Sequence, residues 1–223
     1  MAIVLLVGAC AQTQSFLTSE SLAQKPANPR VLIMPTDVEL SELTTAGLLE
    51  PNAAWTTAGR SNVDTALDSL LAGRNATIVR YDESDTANSD AESQLIKLHS
   101  VVGGTILWHK YFPALALPTK KDKFDWSLGE GAMALREPYG ADYALFIYLR
   151  DSFASDGRKA AIVMAALLGV GVQGGTQVGF ASLVDLRNGK IIWFNRLVSQ
   201  AGDLRESELA RSATENLLDD LPL

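Results

Sequence analysis

The chain has 223 residues, 47% of them hydrophobic, which is enough to build one domain with a substantial core. Its formal net charge of −7 excludes a protein that binds nucleic acid through phosphates, because such binding needs clustered Lys and Arg. The single cysteine, Cys10, excludes an intramolecular disulfide and a cysteine-rich metal site within this sequence.

The first ten residues, MAIVLLVGAC, carry an apolar run followed by small residues and Cys10. Signal peptidases cleave at small residues that follow an apolar segment. The pattern resembles the lipobox of bacterial lipoproteins, which implies that Cys10 is diacylated and is the lipid-attachment residue. We therefore predict a signal remnant over residues 1–9 and a lipidated tether over 10–29, since AQKPANPR is polar and extended.

A second interpretation of this region is a cytosolic α/β enzyme that binds a nucleotide. IVLLVG is then a buried first strand, and TQSFLTSESLAQ is the helix after it. The turn between them, GACAQT, has neither glycine pattern of a phosphate-binding loop. Gly169, Gly171 and Gly174 do spell G-x-G-x-x-G, but a strand-like segment follows them where a dinucleotide site needs a helix. We therefore expect no cofactor.

Beyond the tether, strand and helix patterns alternate, and the sequence predicts a single α/β domain over residues 30–223. The predicted strands are RVLIMP (30–35), ATIVRY (76–81), ADYALFIYLRDSF (141–153) and the two arms of a hairpin within 178–198. Residues 36–59 are predicted to form a loop with one helical turn.

Three helices are predicted from apolar periodicity and end signals. They begin at Ser61, near Ala91 and near Asp203. In the last helix, Glu206 stands at capping-box spacing from Asp203. Its predicted inward residues are Leu209, Ala213 and Leu217.

Asn188-Gly189 is a turn signal between two apolar runs, and it predicts a β-hairpin. A two-residue loop pairs Val184 with Trp193, whereas a three-residue loop with a left-handed Gly189 pairs Leu183 with Trp193. A slip of one residue exchanges the two faces of a strand, and the sequence leaves both registers open. Both faces carry large apolar residues, which predicts helices over much of the sheet.

Residues that could support catalysis or bind metal are few. The two histidines, His99 and His109, are ten residues apart, so a shared metal-binding helix face is not expected. No G-x-S-x-G element occurs, and DESDTANSD (82–90) lacks the glycine and final glutamate of a calcium loop. We therefore expect no catalytic residues and no metal site.

Two other segments could make contacts outside the domain. The apolar run 160–172 is too short to span a bilayer as a helix, and it predicts a buried helix or strand rather than membrane contact. The loop 110–131 combines aromatics with lysines, which makes it the best local candidate for contact with a protein partner; the favoured interpretation is that the aromatics pack into the core and the lysines are solvated. The candidate partner-binding residues are Tyr111, Phe112, Lys120, Lys121, Lys123, Phe124 and Trp126.

The order of motifs over about 30–220 resembles a compact domain of bacterial envelope lipoproteins. The relevant segments are RVLIMP, ATIVRY, YGADYALFIYL and ASLVDLRNGKIIWFN. The domain is similar to penicillin-binding-protein activator lipoproteins, the curli secretion-channel lipoprotein and the amino-terminal domain of TolB. This resemblance implies a mixed α/β sheet of four to five strands flanked by helices, with neither cofactor nor catalysis.

The same resemblance implies a function in the cell envelope. With Ala11 after the cysteine, it implies an outer-membrane lipoprotein that faces the periplasm. Such proteins are scaffolds, activators or oligomeric secretion components, so the expected partners are the membrane, a protein of the envelope or further copies of the chain. The alternatives are an oligomeric secretion-channel component and the cytosolic nucleotide-binding enzyme considered above.

Overall fold

A mixed sheet of eight strands organises the protein in a computed structural model that describes residues 11–18, 26–82, 90–120 and 123–223. The strands are β1 (Gln12–Leu17), β2 (Arg30–Ile33), β3 (Asp37–Leu43), β4 (Leu49–Pro51), β5 (Thr77–Arg80), β6 (Tyr143–Ala154), β7 (Gln177–Asp185) and β8 (Lys190–Ser199). The helices are α1 (Ala53–Leu71), α2 (Asp90–Tyr111), α3 (Arg136–Tyr139), α4 (Asp156–Leu167) and α5 (Ser207–Leu217). The mixed α/β class is as predicted, although the sheet has more strands than expected.

The long strand β6 lies at the centre of the sheet, whose order is β1-β8-β7-β6-β2-β5. Both β2 and β3 run parallel to β6, one after the other, and β4 pairs with β3. Pro35 separates β2 from β3 because it lacks the N–H that a continuous ladder requires. The prediction of a loop over 36–59 was therefore wrong. DVELSEL alternates, and it buries Val38 and Leu40.

Two predicted helix starts also differ from the structure. Helix α1 begins eight residues before Ser61, at Ala53, where the Asn52 side chain accepts a hydrogen bond from the Trp55 N–H at 3.0 Å. Helix α5 begins at Ser207 rather than near Asp203, because the Asp203 carboxylate instead accepts the Arg205 N–H in a tight turn. Leu209 is consequently exposed, whereas Ala213 and Leu217 are buried as predicted.

Helices cover both faces of the sheet and create two hydrophobic clusters. On one face α1 and α5 pack against β2, β3 and β6, with Val63, Leu67 and Leu217 at the contact. On the other face α2 and the segment 128–135 pack over Phe146, Phe180 and Phe194. Alternate residues of the central strands therefore point into the two hydrophobic clusters on opposite faces of the sheet. This explains the large apolar residues on both faces of the hairpin.

The hairpin pairs Leu183 with Trp193, which is the second of the two predicted registers. The register shifts at a bulge between Leu183 and Val184, nearer the turn. Beyond the bulge Asp185 pairs with Lys190, and residues 186–189 form a four-residue loop. Gly189 has φ +70°, and a Cβ there would approach the Gly129 carbonyl oxygen to 2.1 Å. Only glycine fits this position without strain.

Strand β1 lies within the segment predicted as a tether. Gln12–Leu17 pairs antiparallel with β8 along its whole length and forms one edge of the sheet. The same segment was predicted as a helix in the nucleotide-binding interpretation, and that helix is absent here. Cys10 and the run IVLLVG lie outside the described residues.

Candidate functional site

The two histidines occupy structural positions. The His99 Nε2 and Ser182 Oγ atoms are 2.8 Å apart in the core, where the His99 ring stacks on Phe146 with centroids 4.8 Å apart. Burial lowers the pKa of His99 to about 3. His109 donates from Nδ1 to the Leu115 carbonyl at 2.6 Å. Within the described ranges, no three His, Cys, Asp or Glu side chains are grouped so that they could hold a metal ion.

A polar cleft of about 290 Å³ lies where β6 ends, and Asp151 is its buried acid. The carboxylate accepts hydrogen bonds from Gln177 Nε2 at 3.0 Å and from the Leu204 N–H at 3.1 Å. Burial raises the pKa of Asp151 to about 6, against the effect of these two bonds. Both donors are groups of this domain, one on β7 and one at Leu204. The Asp151 carboxylate therefore holds the segment before α5 against the sheet.

Three of the aromatics proposed for partner binding pack against the core: Tyr111, Phe124 and Trp126. Phe16 of β1 stacks on Phe124 with centroids 5.6 Å apart and contacts the edge of Tyr111 at 5.3 Å. The Tyr111 hydroxyl donates to the Gln14 carbonyl at 2.7 Å. These contacts hold β1 against the sheet.

The other proposed partner-binding residues are more accessible. Lys120 lies over the Trp126 ring at 4.8 Å, and Lys123 is exposed. Phe112 is 49% exposed and stacks on Trp108, which is 58% exposed. Lys121 lies outside the described residues. Binding of a partner by this loop stays a prediction.

Helix α4 has an exposed apolar face, which corrects the prediction that 160–172 is buried. No residue of α4 is buried, and Leu167 and Leu168 are 76% and 80% exposed. Val163 and Met164 belong to the same face, Val170 follows the end of the helix, and each has more than half of its surface exposed. At the first turn of the helix, Ser155 caps the Arg158 N–H and the Arg158 side chain donates to the Gln173 carbonyl.

The apolar face of α4 and the start of β1 lie at the same end of the sheet. Gln12 pairs with Val198, Val198 with Val178, and Val178 with Arg150. Strand β6 continues from Arg150 to Ala154, and α4 starts two residues later. Cys10, the predicted lipid-attachment residue, precedes Gln12 by two residues in the sequence and lies outside the described residues.

A groove of about 500 Å³ opens at the same end, between α2 and the sheet. The floor of the groove consists of two rows of side chains that strand pairing aligns across β6, β7 and β8. One row is Tyr148, Phe180 and Arg196, and the other is Arg150, Val178 and Val198. Its helical wall consists of Ser100, Gly104, Leu107 and Trp108, and Phe112 lies just beyond α2. The groove is thus largely apolar and contains two guanidinium groups.

Gly103 permits the helix to approach this floor closely. A Cβ at Gly103 would lie 2.0 Å from Cε2 of Phe180, whereas a Cβ at Gly104 would meet nothing within 4 Å. Phe180 in turn stacks on Tyr148, with ring centroids 4.6 Å apart. Gly103 therefore allows α2 to pack closely on the sheet, and Gly104 leaves the groove open.

Sequence reasoning missed both the groove and the exposure of α4. The signal for the groove was a single arginine within each of two apolar strands, Arg150 in FIYLRD and Arg196 in WFNRLV. For α4 the sequence offered no comparable signal, since every position from 160 to 172 is apolar or glycine and no polar face contrasts with it. In the part of the chain that the structure describes, no helix has the length and apolarity needed to cross a bilayer.

Comparison with known proteins gave solved structures but no family. No protein family matches the chain, and no curated protein matches it. The PelC dodecamer from Paraburkholderia phytofirmans is similar at 12% identity and TM-score 0.43, over 94% of this chain and 95% of the PelC chain. A single-substitution variant of that dodecamer gives 13% identity and TM-score 0.39, over 94% and 96%. The resemblance to penicillin-binding-protein activators, the curli channel and TolB stays a prediction.

Proposed function

We propose that this protein is a non-enzymatic lipoprotein of the outer membrane, anchored through acylated Cys10 and seated on the periplasmic leaflet by α4. One observation carries the proposal: the exposed apolar face of α4 lies at the end of the sheet where β1 begins, and Cys10 stands two residues before β1 in the sequence. In this position the domain acts as a scaffold or accessory subunit for other envelope components.

The acyl chains and α4 have different tasks in this arrangement. Two acyl chains are sufficient for stable attachment, because membrane affinity rises by about 0.8 kcal/mol per buried CH₂ group. A short connection from Cys10 to β1 holds the domain against the leaflet. There α4 can bury its apolar side chains, each contributing about 1–2 kcal/mol for partial burial. The helix thereby fixes the orientation of the domain.

A soluble domain rarely exposes a contiguous apolar patch without an interaction that covers it. The bilayer can cover the apolar patch on α4, because the predicted lipid anchor at Cys10 would hold this end of the domain at the membrane. The non-enzymatic part of the proposal is supported by His99 and Asp151, whose polar contacts are with Ser182 and with Gln177 and Leu204 of the fold itself.

The first test is mass spectrometry of the amino terminus after expression of the full chain in a bacterium with an outer membrane. We expect a diacylglyceryl-modified Cys10 as the first residue and recovery in the outer-membrane fraction. A free Cys10 thiol in a soluble cytosolic protein would contradict the proposal.

The second test separates α4 from the anchor. The chain from residue 10 with Cys10→Ser is mixed with vesicles of phosphatidylethanolamine and phosphatidylglycerol and floated on a density gradient. We expect weak flotation that Leu167→Ser plus Leu168→Ser reduces several-fold, while the control Val101→Ser, on the exposed side of α2, leaves it unchanged. If the double variant floats as well as its parent, contact of α4 with the membrane is wrong. The same conclusion follows if the double substitution abolishes self-association and leaves flotation unchanged.

A further inference from the structure

We propose that the groove between α2 and the sheet binds a single alkyl chain that ends in a carboxylate, such as a long-chain fatty acid. The alkyl chain lies on the aromatic floor, and the carboxylate pairs with Arg196. The proposal concerns a ligand of the folded domain and does not depend on acylation of Cys10.

The surface of the groove is suited to an alkyl chain. The stacked pair Tyr148 and Phe180 forms its base, and Val178 and Val198 extend the apolar floor towards the end of the sheet. Leu107, Trp108 and Phe112 form the opposite side. Because Trp108 and Phe112 are about half exposed without a ligand, an alkyl chain between them and the floor removes apolar surface from water.

The size of the groove also fits this class of ligand. A volume of about 500 Å³ lies within the range of small-molecule sites, roughly 300–1,000 Å³. The floor is three strands wide, which corresponds to about 10 Å between β6 and β8. A flexible chain can follow this width and leave towards the end of the sheet.

The two arginines of the floor differ in their available hydrogen-bonding capacity. Arg150 is already paired, with Nη2 at 2.7 Å from Asp37 Oδ1 and Nη1 donating to the Asp37 and Leu149 carbonyls. Arg196 makes no ion pair with any described residue, and its buried Nε–H has no hydrogen-bond partner there. Its guanidinium stacks over Tyr111 with Cζ 4.1 Å from the ring centroid, and neither terminal Nη group donates a hydrogen bond to a described residue, so these two groups can serve an acceptor in the groove.

A carboxylate satisfies this edge better than other head groups. It accepts two parallel N–H bonds from a guanidinium, and such charge-assisted bonds are about twice as strong as neutral ones. A carboxylate is also more compact than a phosphate head group, so it can reach Arg196 on the floor. Two positive groups in one groove disfavour a cationic amphiphile.

The test uses the chain from residue 10 with Cys10→Ser and three ligands of equal chain length. Each ligand is used at a concentration at which it is dissolved as a monomer. Isothermal titration calorimetry compares decanoate, decanol and decyltrimethylammonium. We expect decanoate to bind at least tenfold more tightly than decanol, and the cation not to bind. Equal affinity for decanol and decanoate would overturn the proposal, since it would indicate a groove for an uncharged chain such as the acyl group of Cys10.

Two variants assign the binding to the groove. Arg196→Gln is expected to reduce decanoate affinity tenfold or more and to leave decanol unchanged, whereas Arg60→Gln, on exposed α1, changes neither. Gly104→Leu places a side chain in the groove from a Cβ that meets nothing within 4 Å, and it is expected to abolish binding of both ligands; Gly73→Leu, where a Cβ also meets nothing, is the control. Unchanged decanoate affinity in either groove variant, with a thermal midpoint that shows a folded protein, would also overturn the proposal.

Discussion

His99 is a residue whose chemistry is set by its position in the core. It lies on the buried side of α2 with 2% of its surface exposed, its ring stacked on Phe146 and its Nε2 beside the Ser182 hydroxyl. The low dielectric of this position favours the neutral imidazole. The sequence predicted an ordinary structural or surface role for His99, because no acid or serine motif accompanied it.

The burial of His99 predicts a pH dependence of stability. The unfolded chain binds a proton near pH 6.5, but the folded protein does so only near the lowered pKa of about 3. The free energy of unfolding therefore falls as pH decreases through this window, by up to about 1.4 kcal/mol per pH unit. Asp151 acts in the opposite sense between pH 6 and 3.8, because its pKa is raised to about 6 in the folded protein.

His99→Gln separates the two contributions. Glutamine retains a donor for Ser182 but does not titrate, so the stability of the parent relative to this variant should decrease by about 3 kcal/mol from pH 6.5 to pH 4. Urea unfolding at both pH values measures this difference. His109→Gln is the control and should leave the relative stability constant. A parallel pH profile for parent and His99→Gln would show that the burial of His99 has no such effect.

At the scale of elements, α2 is placed by one glycine in its interior. Gly103 faces Phe180, which is 1% exposed and is stacked on Tyr148 and Phe194. Glycine is otherwise unfavourable within a helix, by about 0.5–1 kcal/mol relative to alanine. The close packing of α2 on β7 offsets that cost.

Substitution of the two adjacent glycines should have opposite effects. Gly103→Ala forces α2 away from Phe180 and is expected to lower the free energy of unfolding by about 1–3 kcal/mol. Gly104→Ala meets no atom within 4 Å and should raise it by up to about 1 kcal/mol. Chemical denaturation of the two variants measures both changes. Equal effects would mean that the contact with Phe180 does not position the helix.

At the scale of the molecule, local pattern was sufficient for the class of fold and for the central strands. Alternation and apolar runs identified β2, β5, β6 and the β7–β8 hairpin; all of these except the half-buried β5 contain buried residues. The pattern did not identify β1 or β3, because their polar residues are stabilised by pairing with distant strands. The burial of α4 was also mispredicted, since apolar composition does not specify whether a segment contacts the core or another surface.

The integration of β1 into the domain can be measured through Phe16. If residues 10–29 were a free tether, no side chain there would affect stability. Phe16 instead stacks on Phe124 and Tyr111, so Phe16→Ala is expected to lower the free energy of unfolding by about 1–3 kcal/mol. Leu17→Ala, on the opposite and more exposed face, should cost less than half as much. Thermal or urea unfolding gives both values, and two neutral variants would contradict the docking of β1.

The pairing of β1 with β8 also orders the events of synthesis. Residues 12–17 leave the ribosome or the translocation channel before residues 193–198, to which they hydrogen-bond. The entire intervening chain must therefore be released before that edge of the sheet can close. Until then β1 has no strand to pair with, and closure of this edge is a late event in the folding of the domain.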